Sequence, residues 1–183
     1  MSKGSIRVAW LNLQRNVVSA WQRRDYEQSL SEIESFLSRR LSMGMKSEVI
    51  AYRSHTKELM GLLEDSKKDL LRAHSLSKKS SYGRYTLELS LGGLCEKLEE
   101  IREATQWYRT ALETSVAGRS YSGGAALRSY MRLVGANFSE ADRVLARRVV
   151  RRSWKNLGLR ESPELDDLSK AGEILKEAER RPR

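Results

Sequence analysis

Four segments of the 183-residue chain repeat one pattern at a nearly constant interval, and no other feature restricts the fold as much. They begin at Asp25, Leu62, Glu100 and Asn137. Each holds a bulky apolar residue (Tyr26, Leu63, Ile101, Phe138) and, three places on, a small one (Ser29, Ser66, Ala104, Ala141). Four further on comes a large apolar residue (Ile33, Leu70, Tyr108, Leu145), and the small residues lie 37, 38 and 37 positions apart. Spacings of three and four place all three on one stripe of a helix, where the small member lets a neighbouring helix approach. Upstream of each segment runs another stretch of helical periodicity, at 6–21, 49–63, 87–98 and 125–134. The unit is therefore a helical hairpin. One hairpin cannot bury both its faces, whereas four stacked hairpins share a continuous core.

Composition agrees with that reading. Two prolines, 7% aromatics and abundant Leu, Ala, Glu, Arg and Lys favour an all-α chain over a sandwich or barrel. The 39% apolar residues are spread too evenly for a disordered tail or a membrane span. Cys95 has no second cysteine to pair with, and charges at Arg15, Arg23, Arg24 and Asp25 interrupt any secretory signal. A cytoplasmic protein is the expectation.

The hairpins resemble the tetratricopeptide repeat family, most closely at Leu91-Gly92 followed by Ala104, Tyr108 and Ala111. Ala20 with Asp25-Tyr26-Glu27, and Gly61, Leu63 and Ala73, are similar positions in the first two units. The chain departs from the family in a period longer than its usual 34 residues. It also lacks the Leu-Gly pair in the other three units and carries Arg148 at a normally small site. The resemblance implies a right-handed α-solenoid of about four antiparallel hairpins in one domain, 1–183, with repeats at 6–41, 46–80, 84–117 and 123–155. Its concave wall would hold a peptide or partner helix. Transferring the repeat frame places Gln14, Arg15, Tyr52, His55, Glu58, Ser90, Lys97 and Tyr130 on that wall. The Lys and Asn set with which some members clamp a chaperone's C-terminal carboxylate is not reproduced.

Turn chemistry separates the units at Ser42-Met-Gly44, Ser77 to Gly83 and Gly118 to Gly124. The last of these, glycine-rich with Arg119, has the composition of a phosphate cradle but lacks Gly-Lys-Ser/Thr and a preceding strand, so an ordinary turn is expected. After Trp154, Ser162 and Pro163 open a final helix over about 162–181. Leu165, Leu168, Ala171, Ile174, Leu175 and Ala178 form its apolar stripe, and a solenoid end needs such a cap.

No nucleophile, base and orienting group recur with catalytic spacing, so no enzyme activity, catalytic residue or cofactor is expected. His55, His74 and Cys95 offer too few ligands for a closed zinc site, and no metal is expected. Cys95 reads as a small core residue. Charge says more: residues 119–160 carry ten basic residues against Glu140 and Asp142, a net of +8. Arg143, Arg147 and Arg151 recur every four residues, with Lys155 continuing the row, on the face opposite the apolar stripe. That row is either a solubilising face or a contact for phosphate or an acidic protein surface. The sequence thus points first to a non-enzymatic scaffold, adaptor or dedicated chaperone-like module that binds a protein or peptide, with a subunit of a larger complex among the readings it leaves open. The alternative is a basic helical-repeat protein that binds nucleic acid through residues 143–155.

Overall fold

The computed structural model describes residues 3–78, 82–118 and 123–156. Among them are eight α-helices and no strand, so the chain is all-α. The helices are α1 (Lys3–Gln22), α2 (Tyr26–Leu37), α3 (Met43–Leu59), α4 (Leu63–Leu76), α5 (Tyr82–Lys97), α6 (Ile101–Ala117), α7 (Gly124–Val134) and α8 (Glu140–Asn156). None is long and apolar enough to cross a membrane. The expected capping helix at 162–181 lies outside the described residues. The chain divides into two compact units, Met1–Ser77 and Lys78–Arg183. The boundary falls in the polar Ser- and Lys-rich segment that begins at Ser77.

One turn is built three times. Arg24, Gly61 and Glu99 have left-handed backbones, with φ of 60°, 79° and 61°. The next amide reaches back five residues in every case: Asp25 to the Ala20 carbonyl at 2.9 Å, Leu62 to Lys57 at 2.9 Å and Glu100 to Cys95 at 2.8 Å. This closure satisfies carbonyls left open at the end of one helix and aims the chain into the next. At Arg24 and Glu99 a side chain occupies a conformation that costs about 1–2 kcal/mol outside glycine. Five residues after each turn stands the small residue of the repeat, and Ser29, Ser66 and Ala104 are all fully buried.

In the first unit these crossings are polar. The Ser29 hydroxyl meets Thr56 Oγ1 at 3.0 Å, and nearer the other end of α2 Glu34 accepts from Arg53 at 2.6 Å, so α2 and α3 run antiparallel. Helices α3 and α4 do the same, through Ser54 to Ser66 at 2.8 Å and Ser47 to the Ala73 carbonyl at 2.7 Å. Helices α1 and α3 share a direction, because Gln14 pairs with Tyr52 at 3.1 Å and Trp21 with Thr56 at 3.0 Å. The buried Asp69 carboxylate accepts two bonds from Arg53, at 2.8 and 2.6 Å, and lies 2.7 Å from Lys57 Nζ. A buried carboxylate is tolerable only when its lone pairs are satisfied in this way. Trp10, Leu13, Val17, Ile33, Phe36 and Val49 form the apolar core beside it.

The second unit packs more tightly around small residues. The Tyr108 ring of α6 lies over Gly92 of α5, where a Cβ would come within 2.5 Å of it. Gly123, at the start of α7, is wedged against Ser115 and Val149 and gives its amide to Ser153 at 3.2 Å. That amide, one a phosphate cradle would need, is already used. Helices α7 and α8 run antiparallel through Tyr130 to Asp142 at 2.7 Å and Gly123 to Ser153. Helices α6 and α8 share a direction, joined by Arg109 to Asp142 at 3.5 Å and Arg152 to the Gly118 carbonyl at 2.8 Å.

The fourth repeat departs from the sequence register by one residue. Ala141, expected at the close crossing, is exposed, and Asp142, 38 positions after Ala104, takes the buried place. Ala146, Val149, Val150 and Ser153 then match Tyr108, Ala111, Leu112 and Ser115 of the third repeat, which puts Arg148 outside and not at a small core site. The cause is a 3₁₀ turn at Gly135–Asn137, with Gly135 at φ 52°, which lengthens the connection into α8. Ser139 and Asp142 then make a reciprocal cap, amide to carboxylate at 3.0 Å and amide to hydroxyl at 3.3 Å. Burial works against the charge on Asp142. Bonds from Ser139 and Tyr130, with Arg109 nearby, outweigh that and hold its pKa below 3.8. Burial, and then the bond to Asp142, push Tyr130 up to about 12.

Two measurements check this packing. Gly92→Ala should destabilise by about 1–3 kcal/mol through overpacking against Tyr108. Gly93→Ala, whose Cβ would lie 3.6 Å from Tyr108 Oη, should stabilise α5 by about 0.5–1 kcal/mol in the same denaturant titration. For Asp142, a pKa lowered by folding means that the charge stabilises above 3.8 and that this contribution is lost as pH falls below it. The gap in unfolding free energy between the natural chain and Asp142→Asn should therefore be constant near neutrality and shrink below pH 3.8.

Candidate functional site

Of the residues that the repeat frame puts on a binding wall, the first unit assembles five on neighbouring turns of α1 and α3. Tyr52 is the centre. Its hydroxyl accepts from Gln14 Nε2 at 3.1 Å, its ring stacks on Trp21 at 5.5 Å between centroids, and Trp10 meets it edge-on at 5.3 Å. His55, one turn on, stands edge-on to Trp21 at 4.7 Å and approaches Glu58 at 3.4 Å. Half of the His55 side chain is exposed, as is Arg15 beyond Gln14. The result is a ridge with an aromatic floor and a polar crest, which can offer hydrogen bonds, an imidazole ring and aromatic faces to an incoming chain. It holds no nucleophile poised beside a base.

Trp21 is the member that the repeat frame misses. It falls at the end of α1, where the frame assigns no groove position, yet its indole nitrogen anchors to Thr56 at 3.0 Å and its faces support Tyr52 and His55. The presence of Trp10 and Trp21 on a helix with a third aromatic opposite was the available signal.

The second unit treats its three candidates differently. Ser90 and Lys97 lie exposed on α5, seven residues apart and so on one face. Tyr130, expected to line the wall, is instead 4% exposed and donates its hydroxyl to Asp142 within the core. Glu96 joins α5 to α7 through two bonds from Arg132, at 2.8 and 2.6 Å, and also accepts the Tyr108 hydroxyl. The α5–α6 turn brings Cys95, Glu100 and Glu103 together, with ligand atoms within 4.8 Å of one another. Cys95 is fully buried there, and Glu103 accepts from Trp107 Nε1 at 3.3 Å. One sulfur and two carboxylates fall short of the four ligands of a structural zinc site.

The basic row sits on the outer face of α8. Arg143, Arg151 and Lys155 are exposed, and the Arg147 side chain is 41% exposed. Glu140 is 3.8 Å from Arg143 and 3.9 Å from Arg147, too far to neutralise either strongly. Arg148 adds to the exposed charge, whereas Arg152 turns inward to the Gly118 carbonyl.

No family model and no curated protein matches the chain. Its structure is similar to the crystal structure of BtubC (BKLC) from P. vanneervenii, with a TM-score of 0.64 and 14% identity over 96% of this chain and 82% of that one. At that identity the likeness concerns the helical fold alone.

Proposed function

We propose that this protein is a non-enzymatic scaffold or adaptor built from tetratricopeptide-like hairpins, and that the ridge of α1 and α3 holds a peptide or helix of a partner protein. What carries the reading is the aromatic group of Trp10, Trp21 and Tyr52 under an exposed His55 and a partly buried Glu58. Binding energy at protein interfaces concentrates in a few rigid aromatic or Arg anchors set among polar groups, and two-torsion side chains already stacked lose little entropy on binding. The thrice-repeated turn and the shared direction of alternate helices within each unit support the hairpin assignment. The Leu91-Gly92 pair, with its glycine under Tyr108, supports it further.

A second reading rests on a different observation, the exposed Arg143, Arg148, Arg151 and Lys155 of α8 with the partly exposed Arg147 among them. A row with this spacing fits the phosphates of a nucleic acid. The aromatic side chain of this helix, Trp154, is packed against the core of the second unit and not offered between the cations for base stacking, so we place this reading second.

Affinity capture from source cells, with and without nuclease, separates the two. If the ridge binds, His55→Ala combined with Glu58→Lys should reduce recovery of the partner at least about tenfold while leaving the melting temperature unchanged. Capture should also survive nuclease and the triple change of Arg143, Arg147 and Arg151 to Gln. Nuclease-sensitive binding that weakens steeply with salt, and whose slope flattens in the triple variant, would establish the second reading instead.

A further inference from the structure

Helix α1 has two apolar faces, and only one is used by its own unit. Trp10, Leu13, Val17 and Ala20 are buried. On the other side Val8, Leu11 and Val18 are 59%, 53% and 40% exposed, and the exposed Arg15 stands between the last two. At 3.6 residues per turn these four occupy a sector about 80° wide. Their spacings of three, four and three are those of a seam that receives another helix. A different side faces the cleft shared with α2, lined on α1 by Ala9, Asn12, Leu13 and Asn16. Helix α3 covers a third through Gln14 and Trp21.

Charge decides what fits this seam. The 20 residues of α1 contain Lys3, Arg7 and Arg15 and no carboxylate. Just beyond it, Arg23 holds Ser19 at 2.6 Å. On the far wall of the cleft shared with α2, Glu32 lies together with Arg39. A second copy of α1 would bury Arg15 without a counterion in either direction: against its twin in a parallel pair, against Leu11 in an antiparallel one. Such burial is expensive. A membrane surface fits poorly too. A helix whose opposite face is locked into a core cannot sink 5–10 Å into the headgroup boundary, as interfacial helices do.

We propose that the outer face of α1 is a docking site for an amphipathic helix of a partner protein, with leucine-like side chains on Val8, Leu11 and Val18 and flanking carboxylates that pair with Arg15 and Arg7. Helix-on-helix recognition with three or four anchors and complementary flanking charge is an established mode of partner choice. This surface is separate from the ridge of Tyr52 and His55 and stands or falls independently of it.

The test uses the full chain and two labelled synthetic helical peptides of 21 residues. Both have Leu at the seam positions; one has Glu and the other Lys on either side. Fluorescence anisotropy should show the Glu peptide binding with micromolar affinity and the Lys peptide at least about tenfold more weakly. Leu11→Glu, a change at an exposed position, should cost about tenfold or more without altering the melting temperature. Arg15→Glu should reverse the preference between the peptides, a result that mere hydrophobic adhesion would not produce. Equal binding of both peptides, or affinity for the Glu peptide unchanged in both variants, would overturn the proposal. So would Leu11-dependent self-association in analytical ultracentrifugation, or Leu11-dependent binding to phosphatidylserine vesicles in place of peptide binding.

Discussion

How closely one helix can approach the next governs both units, and in the first three repeats a single position sets it. Five residues after the left-handed turn, Ser29, Ser66 and Ala104 bring the backbones together where a larger side chain would hold them apart. The turn and the small residue act together. The amide closure fixes where the second helix starts, and hence which side chain arrives at the crossing. Gly92 beneath Tyr108 and Gly123 against Ser115 and Val149 serve the same need from the opposing helix.

The two units meet that constraint with different chemistry. In the first, serine and threonine at the crossings bring hydroxyls that must find partners, and they find one another or a carbonyl: Ser29 with Thr56, Ser54 with Ser66, Ser47 with Ala73. Polar crossings of this kind fix register, since a slip would leave buried hydroxyls unsatisfied. In the second, alanine and glycine let aromatic rings fill the space, and Tyr108 and Tyr130 carry their hydroxyls to Glu96 and Asp142 at the edge of the core. The ridge of α1 and α3 depends on the first arrangement, because Thr56 anchors Trp21, and Trp21 supports Tyr52 and His55.

Much of this was legible in the sequence wherever small and apolar residues carried the signal. Periodicity located the helices and the crossings at Ser29, Ser66 and Ala104, and the resemblance around Leu91-Gly92 marked a glycine that sits under a ring. It failed at the fourth repeat. An apolar pattern selects Ala141 over Asp142 for the core, and nothing in it shows that Ser139, Tyr130 and Arg109 converge to satisfy a buried carboxylate. That one-residue slip also gave Arg148 a core role it does not have, and Tyr130, read as a wall residue of α7, is buried. The ridge was half legible: the frame named Tyr52 and His55 but not Trp21, whose contribution depends on where α1 ends against α3. The outer face of α1 was hidden for another reason, since Val8, Leu11 and Val18 read as part of an ordinary amphipathic helix until burial separates its two sides.

Cross-linking tests most directly whether the small residues sit at the helix crossings in this register. The Ser54 and Ser66 hydroxyls are 2.8 Å apart. With cysteine at both positions, mild oxidation of the folded chain should close an intramolecular disulfide between them, identified by peptide mapping to distinguish it from Cys95. The pair Ser54→Cys with Lys67→Cys, one residue out of register, should remain reduced. Equal closure of both pairs, or of neither, would contradict the account, because then position 66 would not be where α3 and α4 meet.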